Sequence, residues 1–234
     1  MSEILCNFSS ETRSIINGYD APNRPYYVQL EMIADYNGPR GICGGTIISS
    51  RYVLTAAHCL DEFVDVEVLV GDFTISSSPK QRIRGNKLII HEEYEAKNIP
   101  FRDIALIKLG QSVSGRLSIP MCQKTDSGHR MVATGMGLID VEKETKAEVL
   151  QETELVELYE GYYCDDESFI CAGPKRKPTS ACFGDSGGPL VLLNDSGDVK
   201  CLYGVADAVG LPFCYSRTYF ARVSSYRNWI ENNM

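Results

Sequence analysis

Hydrophobic and polar residues alternate along much of the chain with a repeat of two. The clearest example is the stretch from Val64 to Val70, in which every second residue is valine and Asp65 and Glu67 lie between them. A period of two is typical of a β-strand with one buried face. Similar short apolar runs recur between clusters of Gly, Pro, Ser and Asn: YYVQLEMI, GTIIS, KLIIH, DIALIKL, MVAT, GPLVLL, CLYGVA and YFARV. This pattern predicts an all-β protein, a sandwich or a pair of barrels, and not a parallel α/β sheet.

The C-terminal segment VSSYRNWIEN has a different period. Tyr226, Trp229 and Ile230 are spaced as on one face of a helix. Ser224 or Ser225 could cap its first turn, because a serine hydroxyl accepts hydrogen bonds from unpaired amides there. We therefore predict one C-terminal α-helix.

Composition and charge exclude several classes of function. The chain has 234 residues, 44% of them hydrophobic, which is enough for one large or two small globular domains. A formal net charge of -8 argues against binding to nucleic acid, which needs a concentrated basic surface. No apolar run is long enough to span a bilayer, so we expect no membrane association.

The nine cysteines favour a secreted, disulfide-bonded protein, because their wide spacing lacks the paired ligands of structural zinc sites. Asn7 and Asn194 begin glycosylation sequons that fit secretion. No signal peptide is visible in MSEILCNFSS. Either the signal peptide is not part of this chain, or the inference of secretion is wrong.

The stretch CFGDSGGPL contains a candidate nucleophile, Ser186. A serine hydroxyl is a poor nucleophile near neutral pH, so it needs a base and a third group that orients the base. The three histidines are His58, His91 and His129. None of them follows Ser186, which excludes an α/β-hydrolase, where the histidine comes after the serine.

Two upstream residues could complete the constellation. His58 lies in LTAAHC, and Asp103 begins the apolar run of DIALIKL, where an unpaired charge would be costly to bury. Further motifs are IINGYDAP, GICGGTIISSRYVLTAAHC, CFGDSGGPL and the tryptophan of the final helix. Taken together, these motifs make the chain resemble the trypsin/chymotrypsin-like serine proteases from Ile15 to Met234. In its specificity pocket it is most similar to elastases.

The resemblance implies two six-stranded antiparallel β-barrels, about 15–115 and 116–223, and a helix over 224–234. It implies that Ser186 is the nucleophile, His58 the general base and Asp103 the residue that orients His58. The backbone N–H groups of Gly184 and Ser186 would form the oxyanion hole.

The resemblance also implies disulfide pairs. These are Cys6–Cys122, Cys43–Cys59, Cys164–Cys171 and Cys182–Cys214. Cys201 is left over, and we interpret it as a buried free thiol, with an intermolecular bridge as the alternative.

Activation in this family creates a new N-terminus whose ammonium pairs with the aspartate before the nucleophile, here Asp185. The resemblance places that N-terminus at Ile15, so residues 1–14 would be a propeptide and 15–234 the protease domain. The residue before Ile15 is Ser14, and the basic Arg13 lies one position further back. We therefore expect cleavage after Ser14 by an enzyme that prefers small residues.

The family's specificity pocket falls on three positions. Its base would be Ser180, where trypsin-like enzymes carry an aspartate, and its walls would be Val209 and Thr218. Without a charge at the base, a substrate Lys or Arg would be buried unpaired. We expect cleavage after small aliphatic residues, as in elastases.

Three positions depart from the family. Asp207-Ala208 stands where the family usually has Ser-Trp, and Met136 replaces a common tryptophan with unclear consequence. Asp207 would approach Asp103, and of two such carboxylates one would stay protonated. Alternatively, Asp207 turns outward and is harmless.

The remaining expectations concern partners. Asp72 has no second carboxylate near it in the sequence, so we expect no metal and no cofactor. We expect a monomeric, extracellular endopeptidase made as a zymogen, with protein or peptide substrates and protein protease inhibitors as partners. The alternative is a catalytically weak or inactive homologue that acts as a binding or signalling protein.

Overall fold

Short antiparallel strands make up most of the regular structure. The computed structural model describes residues 14–34, 40–71, 73–74, 79–96, 100–126, 130–140, 143–161, 163–174, 179–210, 214 and 217–234. Its strands are β1 (Tyr19–Asp20), β2 (Tyr27–Ile33), β3 (Arg40–Ser49), β4 (Tyr52–Thr55), β5 (Asp65–Val70), β6 (Gln81–Ile90), β7 (Ala105–Leu109), β8 (Met131–Gly135), β9 (Leu138–Asp140), β10 (Thr145–Lys146), β11 (Gln151–Glu157), β12 (Phe169–Pro174), β13 (Pro189–Leu193), β14 (Val199–Val209) and β15 (Thr218–Arg222). The helices are α1 (Ser14–Asn17) and α2 (Val223–Asn233), with a 3-10 turn at Ala57–Cys59.

The first barrel closes in the order β2-β3-β4-β7-β6-β5. Its core is filled by the inward residues of each strand, such as Val66, Val68 and Val70 of β5. Val64 was expected on the same face, but it lies before β5 and is 73% exposed. The alternating face therefore begins at Val66.

The second barrel closes because β8 pairs with both β11 and β13, giving the ring β8-β11-β12-β15-β14-β13. Leu155, Ile170, Leu190 and Phe220 are among the buried residues of its core. The prediction of two six-stranded antiparallel barrels is confirmed. The N-terminal strand β1 joins the second barrel by pairing with β11, although the predicted first barrel begins at Ile15.

The C-terminal helix α2 buries Tyr226 and Ile230, as its spacing predicts. Neither predicted serine caps it: the N-cap is Arg222, without a side-chain hydrogen bond, and the Ser225 hydroxyl donates instead to the backbone oxygen of Glu167 at 2.7 Å. Among the described residues, no helix has the length and apolar character that crossing a bilayer requires.

Four disulfides join eight of the nine cysteines. Three of them are pairs that the family resemblance implies: Cys43–Cys59, Cys164–Cys171 and Cys182–Cys214. The fourth, Cys122–Cys201, is not.

The predicted pair Cys6–Cys122 is therefore wrong, and Cys201 is not a free thiol. Cys122 donates its backbone N–H to Leu202 in β14 at 2.9 Å, which places Cys122 and Cys201 on neighbouring segments with their Cα atoms 5.0 Å apart. That separation is ordinary for a disulfide. Cys6 lies outside the described residues.

Some other sequence predictions also lie outside the described residues. These are the sequon at Asn7, the candidate metal ligand Asp72, the histidine His129 and the propeptide up to Arg13. The second sequon is described: Asn194 is exposed in the turn between β13 and β14, where its side chain accepts a hydrogen bond from the Asp198 N–H.

Candidate active site

His58 lies in the 3-10 turn that follows β4. The adjacent Cys59 is bonded to Cys43 of β3, so a covalent link holds this turn against the first barrel. The imidazole is partly exposed, with 29% of its side-chain surface accessible. A base in this position is fixed in place but still open to a ligand.

Asp103 is fully buried directly before β7, and both of its carboxylate oxygens accept hydrogen bonds from His58. Oδ1 accepts the His58 backbone N–H at 2.8 Å, and Oδ2 lies 2.5 Å from Nδ1 of the ring. The second bond keeps a proton on Nδ1, so the other ring nitrogen, Nε2, is the proton acceptor. Asp103 therefore selects the tautomer of His58 that general-base catalysis needs.

Ser186 is held by backbone hydrogen bonds from both barrels. Its carbonyl oxygen accepts the Gly44 N–H of β3 at 2.7 Å, and the next residue, Gly187, donates to Ala206 of β14 at 2.8 Å. A Cβ atom at Gly187 would lie 2.2 Å from the Thr55 hydroxyl oxygen. Only glycine fits there, which explains one of the glycines beside the serine.

His58 and Ser186 line one cavity of about 350 Å³ between the barrels. Within the described part of the chain no hydrogen bond joins their side chains, and Nε2 of His58 lies 3.8 Å from Cys59 Sγ. Hydrogen bonds between a catalytic base and its nucleophile often tighten only when substrate is bound.

The predicted oxyanion hole lies in the turn around Gly184, directly before the candidate nucleophile. Gly184 has a φ of +96°, a left-handed conformation that favours glycine. Among the described residues, neither the Gly184 nor the Ser186 N–H donates a backbone hydrogen bond within the protein. Two unpaired amides, on residues separated by one position, can stabilise a developing negative charge.

Asp185 lies between these two amides in sequence but points away into the second barrel, where it is buried. Its carboxylate oxygens accept the Gly137 N–H at 2.7 Å and the Cys182 N–H at 2.9 Å. Burial nevertheless raises the pKa of Asp185 to about 7, against the opposing effect of these two donors. No salt bridge to Asp185 is found in the described part of the chain.

Ile15 is fully buried within α1, which packs against β8, β9 and β11. Its φ is +47°, which is unusual for a β-branched residue because the side chain crowds the backbone there.

The predicted pocket walls are brought together. Val209 of β14 and Thr218 of β15 are cross-strand partners, and both line the cavity that contains Ser186. The Thr218 hydroxyl accepts the Ala181 N–H at 3.2 Å, which fixes its orientation.

The predicted pocket base, in contrast, is not brought to the cavity. Ser180 is fully buried, its hydroxyl donates to the Ala181 backbone oxygen at 3.0 Å, and it is not among the lining residues. Ala181 and Thr218 line the cavity instead and are hydrogen-bonded to each other. The lining of the pocket therefore ends at Ala181 and Thr218, and Ser180 lies outside it.

Asp207 lines the same cavity and is only 5% exposed. The alternative that it turns outward is therefore wrong. It shares this cavity with His58, and burial, together with the interaction between its carboxyl and that of Asp103, raises the pKa of Asp207.

Other residues of the site had no clear signal in the sequence. Tyr94 and Pro100 line the cavity beside Ala208, where the family's tryptophan is missing. Phe183 is half exposed and lines both this cavity and a second one of about 780 Å³, which also contains Met136. Their roles depend on loop positions, which periodicity does not reveal.

A buried aspartate, a histidine held in one tautomer and a serine beside free amides, set between two β-barrels, define a trypsin-like serine endopeptidase. The comparisons with known proteins agree with this class. The family profile described as trypsin matches residues 15–230, so the chain belongs to the trypsin family. Its substrates are accordingly proteins or peptides.

Particular relatives cover nearly the whole chain. A chymotrypsin of Phaedon cochleariae is 30% identical over 94% of this chain and 82% of the relative. The chymotrypsin-like elastase family member 1 of Felis catus is 28% identical over 97% of this chain and 91% of the relative. A solved structure of HL collagenase is similar with a TM-score of 0.77 and 28% identity, covering 94% of this chain and 98% of that one.

Proposed function

We propose that the protein is an elastase-like endopeptidase that cleaves after small aliphatic residues. Ser186 Oγ attacks the substrate carbonyl carbon while His58 Nε2 accepts the hydroxyl proton. His58 then donates this proton to the leaving amine as the carbon–nitrogen bond breaks. Water next attacks the acyl-enzyme with His58 again as the base, and the serine is regenerated. The amides of Gly184 and Ser186 stabilise the oxyanion in both halves of the reaction.

The observation that carries the specificity is the Val209–Thr218 pair. These cross-strand side chains lie in the cavity with Ser186, while Ser180 lies behind them. A long side chain would meet two branched walls, and a basic one would find no carboxylate at a pocket base. Alanine or valine before the cleaved bond would fit with the least rearrangement.

The proposal includes activation by cleavage between Ser14 and Ile15. The new ammonium of Ile15 would pair with Asp185, whose buried carboxylate has backbone donors but no salt bridge among the described residues. A nearby cation favours the ionised carboxylate and would lower its pKa from about 7. A serine before the cleaved bond also fits the small pocket proposed here.

The remaining parts of the proposal concern the setting. Four disulfides and the exposed sequon at Asn194 support an extracellular protein. We propose that it acts as a monomer and that protein protease inhibitors bind at the cavity.

Covalent labelling tests the chemistry. After cleavage at Ser14–Ile15, an organophosphate should modify the protein once, at Ser186, and the Ser186→Ala variant should not react. An unmodified parent enzyme with the correct N-terminus would contradict the proposal. N-terminal sequencing of active material should give Ile15, and Ser14 as the first residue would contradict the proposed junction.

A peptide panel tests the specificity separately. We expect faster cleavage after Ala or Val than after Phe or Arg. The opposite order in a labelled, active enzyme would refute the pocket argument while leaving the catalytic residues in place.

A further inference from the structure

A β-bulge directs Asp207 toward the catalytic pair. Ala206 of β14 pairs with Phe220 and Ala208 pairs with Tyr219, so Asp207 is an extra residue between two consecutive pairs of the β14–β15 ladder. Bulges of this kind turn a side chain away from the direction that regular alternation gives it. The carboxyl of Asp207 consequently faces the cavity and Asp103.

The contacts of this carboxyl are unusual for a buried charge. Both oxygens of Asp207 are buried, and neither accepts a hydrogen bond from a donor in the described part of the chain. The group within hydrogen-bonding reach is the carboxyl of Asp103. Two carboxylates both accept and cannot bond to each other, so a bond between them requires a proton.

The other groups near Asp207 cannot neutralise it. Tyr94 and Tyr226 interact with it electrostatically, but burial raises the pKa of both phenols, that of Tyr226 to about 12, so both are neutral at physiological pH. His58 is already bonded to Asp103.

The surrounding charges do not supply a partner either. Arg102 acts on Tyr226 but forms a salt bridge with Glu93. Asp61 and Glu62, which act on Tyr94, add negative charge. The neighbourhood of the pair is therefore acidic, which disfavours a second anion.

We propose that Asp207 carries a proton in the resting enzyme and donates a hydrogen bond to the Asp103 carboxylate, acting as a positioning residue for His58. The proton belongs on Asp207 because Asp103 already accepts two hydrogen bonds from His58, which stabilise its ionised form. Burial, and next the charge of Asp103, raise the pKa of Asp207 well above the ordinary value.

The role rests on the proposed function of the triad. A protonated Asp207 leaves one negative charge beside His58 and gives Asp103 a hydrogen-bond donor in addition to those of His58. Loss of this proton at alkaline pH would place two adjacent carboxylates beside the base. The two anions would repel each other, and His58 would lose the orientation in which it accepts the proton of Ser186.

Infrared spectroscopy tests the proton without requiring activity. The full chain at about pH 8 should show the carbonyl band of a protonated carboxyl group, and Asp207→Asn should lack it; Asp185, with a pKa of about 7, is mostly ionised there. Absence of the band from the parent protein would overturn the proposal. A protein that shows the band but has no activity would contradict the proposed function, but it would not contradict a proton on Asp207.

Kinetics of the cleaved enzyme test the positioning role. Asp207→Asn keeps a neutral donor and should retain kcat/KM within about tenfold, whereas Asp207→Leu, of similar size without a donor, should lose at least tenfold more. The alkaline decline caused by Asp207 should be absent from the Asn variant. Equal activity of the two folded variants with unchanged pH profiles would leave Asp207 a structural role only and contradict the proposal. A shift of the acidic limb of the pH profile to lower pH by one unit or more in Asp207→Asn would also contradict the proposal, because it would show that Asp207 is ionised in the parent enzyme.

Discussion

Two buried aspartates lie near the candidate nucleophile, and they differ in the hydrogen-bond donors that surround each carboxyl group. The Asp185 carboxylate accepts backbone N–H groups from Gly137 and Cys182, whereas Asp207 has no such donor among the described residues and faces Asp103. Burial raises the pKa of both. The difference indicates that the available hydrogen-bond donors, and not burial alone, decide whether a buried carboxyl group favours the ionised form, which can pair with a cation, or the protonated form.

Replacing each aspartate by its amide should separate the two roles. In the cleaved enzyme, Asp185→Asn should lower kcat/KM by about 100- to 1000-fold, because the ammonium of Ile15 would lose its anionic partner and the Gly184 amide would no longer be held for the oxyanion. Asp207→Asn should lose no more than about tenfold. The measurement is kcat/KM on one small neutral substrate.

The control for this comparison is the fold. Both variants should keep the parent's circular dichroism spectrum and a cooperative thermal transition. Equal losses of activity in two well-folded variants would remove the distinction between the aspartates.

The pH dependence of stability should show the charge of Asp185 in the uncut chain. Its pKa is about 7 when folded and 3.8 in the ordinary state, so the folded protein holds the proton more tightly. The contribution of Asp185 to the free energy of unfolding should therefore be largest below about pH 4 and should fall as pH rises to about 7, by at most about 1.4 kcal/mol per pH unit. Denaturant titrations of uncut Ser186→Ala protein would measure this slope.

Two further variants identify the source of the slope. Asp185→Asn and Asp207→Asn in the same background should each make the decline shallower, since each removes an acid whose pKa is raised on folding. If Asp185→Asn left the slope unchanged, the pKa of Asp185 would be the same in the folded and unfolded states.

The space around Asp185 gives a smaller test. A Cβ at Gly135 would lie 1.9 Å from Asp185 Oδ1, so Gly135→Ala should displace the carboxylate and lower the free energy of unfolding by about 1–3 kcal/mol. The matched control is Gly110→Ala, whose Cβ would meet only the Arg84 backbone oxygen, at 3.2 Å. Thermal unfolding of the two variants should differ clearly. If the Gly135→Ala protein were as stable as the control, the residues around Asp185 would be able to move aside at little cost in free energy.

Opening the pocket beside Asp207 should have the smallest effect. Val209→Gly or Thr218→Gly should raise kcat/KM for a Phe substrate relative to an Ala substrate by about tenfold, because each removes a branched wall. Val64→Gly changes an exposed valine and serves as the control. An unchanged Phe-to-Ala ratio would mean that these walls do not limit the substrate.

The sequence was sufficient to predict the features that depend on local pattern and chemical type. Strand alternation predicted an all-β sandwich or pair of barrels, and the family resemblance implied the two six-stranded barrels and the three disulfides that are present. The Cys122–Cys201 bond could not be predicted, because it depends on the segment at Cys122 lying along β14.

The candidate site divides in the same way. Chain order and residue type were enough to select His58 and Asp103, which the structure joins by two hydrogen bonds. The burial of Ser180 behind Thr218 and the bulge at Asp207 were not predictable from periodicity. The bulge depends on a single added residue, which reverses the facing side of a strand, and the position of Ser180 depends on how the segment before the nucleophile candidate packs behind Thr218.

The dipeptide Cys43-Gly44 of β3 is connected both to the candidate nucleophile and to the candidate base. Cys43 is bonded to the segment of the base through Cys59, and the Gly44 N–H donates to the carbonyl oxygen of Ser186. One peptide unit thus fixes the positions of both Ser186 and the His58 segment relative to β3. We therefore expect changes in the loops of either barrel to leave the alignment of Ser186 and His58 intact as long as this dipeptide keeps its position.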